Sequence, residues 1–118
     1  MRVILGAVCS LLLASLLVAE TEPVTIAGEL IDTYCYAGPS IRGDAHRACA
    51  VKCVRAGVPA GLLDPKTRKV YILLPAKDAS ALPPNLVAQM GHDAAITGEV
   101  FVKGGATFLT VQSFRITR

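Results

Sequence analysis

The chain has 118 residues, four cysteines, two histidines and a net charge of +3 at pH 7. A charge this small, with no run of lysine or arginine, argues against a nucleic-acid-binding protein. The length fits one small domain with a modest core, and a disulfide bond or a metal ion adds noticeably to the stability of such a domain.

The amino terminus has the pattern of a targeting segment. Arg2 precedes an uncharged, mostly apolar run over residues 3–19, and acidic residues follow it. This order is typical of a secretory signal, and the run is also just long enough to span a membrane. We therefore predict a signal peptide or an N-terminal membrane anchor over residues 1–19 and a single domain over residues 20–118. The expected location is extracytoplasmic, in the periplasm or at the cell surface.

The first part of the domain predicts a strand followed by a helix. Residues 24–31 mix β-branched and apolar side chains, which is typical of a strand, and Cys35 ends the strand-like run. A glycine-rich loop follows. A helix is predicted over residues 45–56, because Gly57 and the proline two positions later form a stop signal.

The remainder predicts four further strands and a short helix. The strands are expected at residues 61–63, 69–74, 94–102 and 107–116, and the helix at residues 85–90. The last two strands form a hairpin around a glycine turn. The predicted fold is therefore mainly β: a small five-stranded barrel of the OB type with a Cys/His-bearing helix after strand 1. A small open sandwich is the alternative.

Four residues form a candidate metal site. His46, Cys49 and Cys53 are at positions i, i+3 and i+7, so they lie within about 60° of one another on one helix face. Together with Cys35 they are a complete ligand set for zinc, and a subset of two or three suits copper(I). The span of about 10 Å from His46 to Cys53 requires a bent helix or ligands that swing inward. Asp32 is most simply a strand-end or turn residue, and a role as carboxylate partner for His46 is the less favoured alternative.

The same cysteines allow other outcomes. An oxidising compartment favours a disulfide bond from Cys35 to Cys49 or Cys53, which excludes a metal ion at Cys35 and leaves one thiol over. Cys49 and Cys53 cannot easily bond to each other, because their Cβ vectors run parallel one helical turn apart. Inert thiols in the core are a further alternative. A thiol redox protein is less favoured, because Cys49 and Cys53 do not have the C-x-x-C spacing.

These patterns favour a non-enzymatic function. The sequence shows no Ser/His/Asp set, phosphate loop or convincing acid/base pair. The leading hypothesis is an exported domain that binds zinc or copper through Cys35, His46, Cys49 and Cys53. The alternative is a disulfide-stapled accessory subunit of a membrane-associated complex, and a periplasmic thiol redox protein comes third. The expected partner is another protein rather than nucleic acid, with membrane contact only through residues 1–19 if they are retained.

Several of these residues belong to four short motifs: Gly28-Glu-Leu-Ile-Asp32-x-x-Cys35, His46-x-x-Cys49-x-x-x-Cys53-x-x-x-Gly57, Lys69-Val-Tyr71 and Ile96-Thr-Gly98-x-Val100. With these motifs the chain resembles a family of small exported bacterial proteins that is common in acidobacterial-type genomes and carries a domain of unknown function. The resemblance covers about residues 28–116. It implies an extracytoplasmic protein with a Cys/His helix and a C-terminal β-hairpin, and it implies no established activity.

Overall fold

The structure is a computed structural model that describes residues 21–118 of the chain. The signal peptide or anchor expected over residues 1–19 therefore lies outside the described residues. Within residues 21–118, no helix is long and apolar enough to cross a membrane.

The described chain forms one seven-stranded mixed sheet. Its strands are β1 (Val24–Asp32), β2 (Ala60–Leu63), β3 (Val70–Pro75), β4 (Asp93–Gly98), β5 (Val100–Lys103), β6 (Ala106–Val111) and β7 (Ser113–Ile116). They lie in the order β5-β6-β3-β2-β1-β4-β7, and all neighbours are antiparallel except β3 and β6. The prediction of a mainly β domain is confirmed. The predicted five-stranded barrel is wrong, because the sheet has seven strands and does not close.

The two additional strands arise from a hairpin that bends in its middle. Each of the two predicted C-terminal strands is interrupted by one residue, at Glu99 and at Gln112. The base of the hairpin joins the sheet where β4 pairs with β1, and its tip joins where β6 pairs with β3. A Cβ atom on Gly98 would stand 1.7 Å from the carbonyl oxygen of Thr110, so the chain can bend this closely only with glycine there.

Three helical elements connect the strands, and a 3-10 turn precedes one of them. Helix α1 (Thr33–Ala37), the 3-10 turn (Asp44–His46) and helix α2 (Arg47–Arg55) lie between β1 and β2, and helix α3 (Pro84–Val87) lies between β3 and β4. The helix predicted over residues 45–56 is therefore confirmed as α2. Its first turn is a tighter 3-10 turn, in which side chains follow a three-residue repeat.

The end of α2 is set by a Schellman motif. Gly57 has a φ of 108°, a conformation that suits glycine. The N–H groups of Gly57 and Val58 donate to the carbonyl oxygens of Val54 and Cys53, each at 3.0 Å. The stop predicted at Gly57 is confirmed, and these bonds fix the backbone of Cys53.

The hydrophobic core lies between the sheet and the short helices. Its fully buried side chains come mainly from the strands, and α2 adds Ala50, its one buried residue. Burying each large aliphatic side chain contributes about 1.5–3 kcal/mol. The cysteines of α2 lie outside this core, at the edge where α2 meets the end of β1.

Candidate metal centre

Cys35 lies on helix α1, not in an extended segment as the sequence predicts. β1 ends at Asp32, and the Asp32 carboxylate accepts a hydrogen bond of 2.9 Å from the N–H of Cys35. Asp32 is therefore the N-cap of α1, which satisfies an otherwise unpaired helix donor. The carbonyl oxygen of Cys35 accepts a hydrogen bond of 2.9 Å from the N–H of Ile41. These two bonds hold the backbone of Cys35 from both sides.

The three cysteines of the described chain converge on one point. The Sγ atoms of Cys35, Cys49 and Cys53 all lie within 4.8 Å of one another. Cys49 and Cys53 are one turn apart on α2, and their Sγ atoms are 4.0 Å apart. Zinc–sulfur bonds of about 2.3 Å place the sulfur atoms of a tetrahedral site about 3.8 Å apart. The Cys49 and Cys53 sulfurs therefore lie close to the spacing of a thiolate metal site without any distortion of α2, and Cys35 adds a third sulfur within 4.8 Å of both.

The cluster is open to solvent on one side. Cys49 is exposed, whereas Cys35 and Cys53 are half-buried. All three are free thiols in the described chain, and the 4.0 Å between the Cys49 and Cys53 sulfurs is well beyond the disulfide bond length of about 2.05 Å. A metal ion at this position would contact α1 and α2 on one side and keep an accessible face on the other.

His46 belongs to a neighbouring group. It ends the 3-10 turn, so its side chain does not follow the α-helical repeat that relates Cys49 to Cys53. Its Nε2 atom is 2.9 Å from Oδ2 of Asp32, so the structure contains the contact with Asp32 that the sequence offered only as an alternative. Ligand atoms of His46, Asp32 and Cys35 also lie within 4.8 Å of one another. Of the four predicted ligands, the structure thus groups the three cysteines and places His46 beside Cys35 and Asp32.

The surroundings of Cys35 and Cys53 disfavour their thiolates. Burial raises the pKa of the Cys35 thiol to about 12, and its hydrogen bond with Asp32 and the negative charges nearby add to this rise. Burial is also the main cause of a raised pKa at Cys53, and the hydrogen bond with Cys49 is the second cause. Reactive thiols have a pKa below the ordinary value, so these surroundings do not suit a thiol redox protein. A cation between the sulfurs would remove the repulsion between thiolates.

Asp32 is buried but remains a good site for negative charge. Burial by itself raises the pKa of Asp32, but hydrogen bonds from the Cys35 N–H and from His46 outweigh it, so the pKa lies below its ordinary value. The cap that Asp32 places on α1 goes beyond what is predicted from the sequence. The spacing of three residues between Asp32 and Cys35 was the available signal, because a capping carboxylate bonds the N–H two or three positions further on.

Two ion pairs fasten the loop and the turn around this site. Arg42, in the loop between α1 and the 3-10 turn, pairs with Glu29 of β1. Arg47 pairs with Asp44 at 2.9 Å across the start of α2. Exposed pairs of this kind contribute at most about 1 kcal/mol each. These ion pairs orient the segment that carries His46, but the segment itself stays at the surface of the protein.

Comparisons of the chain with protein-family models, with curated protein sequences and with solved structures find no significant match. Function is therefore inferred from the geometry of the site.

Proposed function

We propose that this protein is an exported, non-enzymatic domain that binds a thiophilic metal ion, copper(I) or zinc, through Cys35, Cys49 and Cys53. The observation that supports the proposal is the approach of three sulfur atoms from two separate helices to within 4.8 Å of one another. The helical repeat alone brings Cys49 and Cys53 together, but it does not bring Cys35 of α1 to them. Thiolates are the ligands that copper(I) and zinc prefer over harder cations.

The number of sulfur ligands bears on the choice of metal. Copper(I) is satisfied by two or three soft ligands, and the three cysteines supply them without help from His46. Zinc takes four ligands, so it would need water or His46 in addition. His46 is 2.9 Å from Asp32 and would have to turn from it to join the three sulfurs. The geometry therefore favours copper(I) at the three cysteines in the absence of a fourth protein ligand.

The exposure of the cluster bears on its role. Structural zinc sites have all their positions filled by protein ligands and are closed to solvent. Here Cys49 is exposed, and Cys35 and Cys53 are only half-buried. An ion held in this way exchanges readily with ligands from solution. We therefore propose that the metal is carried as cargo or delivered to a partner, outside the cytoplasm, and is not a permanent element of the fold.

The test is a metal titration of the full chain, reduced and kept free of oxygen. Copper(I) and zinc are added separately in competition with a coloured chelator, and native mass spectrometry counts the ions bound. We expect a tight first equivalent of metal. Each of Cys35→Ser, Cys49→Ser and Cys53→Ser should weaken it by more than the roughly 10- to 100-fold that loss of a supporting partner costs.

The matched control is Ala48→Ser, which places the same new hydroxyl at an exposed position of α2 next to Cys49. It should leave the affinity unchanged. Thiol alkylation of protein purified from its native compartment gives a second readout. Three alkylated thiols among Cys35, Cys49 and Cys53 after metal removal support the proposal. One alkylated thiol and no bound metal would contradict it and would indicate the disulfide-stapled accessory subunit.

A further inference from the structure

A second set of ligand atoms adjoins the three-thiolate cluster. Asp32 at the end of β1, Cys35 on α1 and His46 in the 3-10 turn bring one ligand atom each to within 4.8 Å of the other two. Among the described residues, Cys35 is the one member shared by this set and the three-thiolate cluster. The two sets therefore meet at a single sulfur atom.

The chemistry of the second set differs from that of the first. A carboxylate, an imidazole and a thiolate are the three ligand types that zinc takes in proteins, and they form a harder set than three thiolates. The 2.9 Å between His46 Nε2 and Asp32 Oδ2 is close to the roughly 3.3 Å between two ligands of a tetrahedral ion with bonds of about 2.0–2.1 Å. An ion can therefore replace the proton of this hydrogen bond after a small movement of the two side chains.

The second set is also held in place before any ion arrives. The residue Asp32 is 1% exposed, and its Oδ1 atom accepts the hydrogen bond from the Cys35 N–H. This bond leaves Oδ2 directed at His46, whose side chain is 11% exposed. Burying a carboxylate is costly unless a charged or hydrogen-bonding partner compensates for it. A divalent cation compensates for the buried carboxylate more fully than a single hydrogen bond does.

We propose that Asp32, His46 and Cys35 bind a second, borderline divalent cation of the zinc type, and that the Cys35 thiolate bridges the two ions. A thiolate sulfur has enough lone pairs to bind two metal ions at once. The bridge rests on the proposed function, because it requires an ion at the three-thiolate cluster. The positive charge of the second ion would lie between Asp32 and the thiolates. It would reduce the repulsion between these negatively charged groups.

The test uses cobalt(II) as a paramagnetic substitute for zinc. Cobalt(II) is titrated into the reduced full chain in a Cys9→Ser background, which removes the thiol outside residues 21–118. Native mass spectrometry counts the ions, and electron paramagnetic resonance follows their spins. We expect two ions. The resonance should grow with the first equivalent and fall with the second, because a bridging thiolate couples the two spins.

Two variants separate the second site from the first. Asp32→Asn keeps an oxygen that can cap α1, and His46→Gln keeps a polar side chain in the 3-10 turn. Each should bind one ion, with a resonance that no longer falls. His92→Ala removes the other histidine, which bonds the Arg118 carbonyl oxygen, and should still bind two ions. If Asp32→Asn fails to fold, His46→Gln alone decides the question.

The outcomes distinguish the two proposals. One ion in the parent chain, unchanged in His46→Gln, overturns the second site and leaves the three-thiolate site standing. Two ions whose resonances simply add overturn the bridge through Cys35. No bound cobalt(II) at all overturns the second site, and the copper(I) and zinc titration described above then decides the three-thiolate site on its own.

Discussion

The sheet and the helical insert (residues 33–59) are stabilised in different ways. In the sheet, Leu30, Leu62, Ile96 and Leu109 are all 0% exposed, so removal of apolar surface from water holds the strands together. In the insert, α1 has no buried residue and α2 has one, Ala50. Hydrogen bonds, ion pairs and the packing of half-buried side chains such as Val51 and Val54 stabilise the insert, and a bound metal ion would add to them. The comparison teaches that the fold and the site of this protein have largely separate sources of stability.

The largest expected effect comes from a cavity in the sheet. Leu62→Ala should lower the free energy of unfolding of the metal-free protein by about 2–5 kcal/mol, because Leu62 is fully buried and its neighbours cannot fill the space. Urea denaturation measures this loss. Val102→Ala, at a position that is 71% exposed, should cost less than about 0.5 kcal/mol. If Leu62→Ala also weakened metal binding by the folded protein, the sheet and the helical insert would not have separate sources of stability.

The next effect is that of metal on the insert. In metal-free protein, amide hydrogen exchange should be faster in α2 than in the core strands, because α2 buries little. Metal at about 100 times its dissociation constant should raise the opening free energy of α2 by about 2.7 kcal/mol, and a chelator should reverse this.

The matched control for the exchange experiment is Cys53→Ser. Its α2 amides should exchange at the same rate with and without metal. Equal protection of α2 and the core strands in metal-free protein would contradict the comparison. So would α2 amides that metal leaves unchanged in the parent chain.

A smaller effect is expected at the end of α2. Gly57→Ala should cost about 1–2 kcal/mol, because a side chain is strained at its φ of 108° although the space around it is open among the described residues. Gly38→Ala is the control, since Gly38 has a φ of −82° and an added Cβ would make only an ordinary contact. The Schellman motif fixes the backbone of Cys53, so Gly57→Ala should also weaken metal binding. Unchanged stability in Gly57→Ala would contradict this account of the helix end.

The smallest effect is the acid dependence of a turn in the sheet. The hydrogen bond from the Lys66 N–H to the Asp64 carboxylate is the main reason that the pKa of Asp64 lies below its ordinary value of 3.8. A carboxyl group whose pKa is lower in the folded state stabilises the fold above its unfolded pKa. That contribution is lost as the pH falls through the folded pKa.

The difference in stability between the parent chain and Asp64→Asn should therefore be largest near neutral pH and should shrink below pH 3.8. Denaturation curves at several pH values measure it. Asp64 lies in the turn between β2 and β3, away from the cysteines. The decrease of this stability difference in acid should therefore be the same when both proteins also carry Cys53→Ser. A difference that grows in acid would show that the sign of the pKa shift is wrong.

The sequence allowed a good prediction of local structure but not of long-range pairing. The strand before the insert, α2 and its stop at Gly57 follow from local patterns, and the structure confirms them. The division of the hairpin at Glu99 and Gln112 was not predictable in this way. It depends on β4 pairing with β1 while β6 pairs with β3, and on the close approach of Gly98 to Thr110.

The candidate site shows the same limit on a smaller scale. The helical repeat correctly placed Cys49 and Cys53 on one face of α2. The strand-like pattern misplaced Cys35, because a cap at Asp32 begins a helix where an extended end was expected. The helical repeat misplaced His46, because a 3-10 turn precedes α2. The cap of Asp32 on the Cys35 N–H is local in sequence, whereas the contact of His46 with Asp32 joins residues 14 positions apart. The contact of His46 with Asp32 becomes visible only when the two segments are brought together.

The measurement that tests the central claim most directly is X-ray absorption at the metal edge of the full chain loaded with one equivalent of copper(I) or zinc. The account predicts three sulfur neighbours, at about 2.3 Å for zinc. Cys49→Ser should reduce their number by one, and Ala48→Ser should leave it at three. A first shell made mainly of nitrogen and oxygen, or one that does not change in Cys49→Ser, would contradict the claim that Cys35, Cys49 and Cys53 together bind the metal ion.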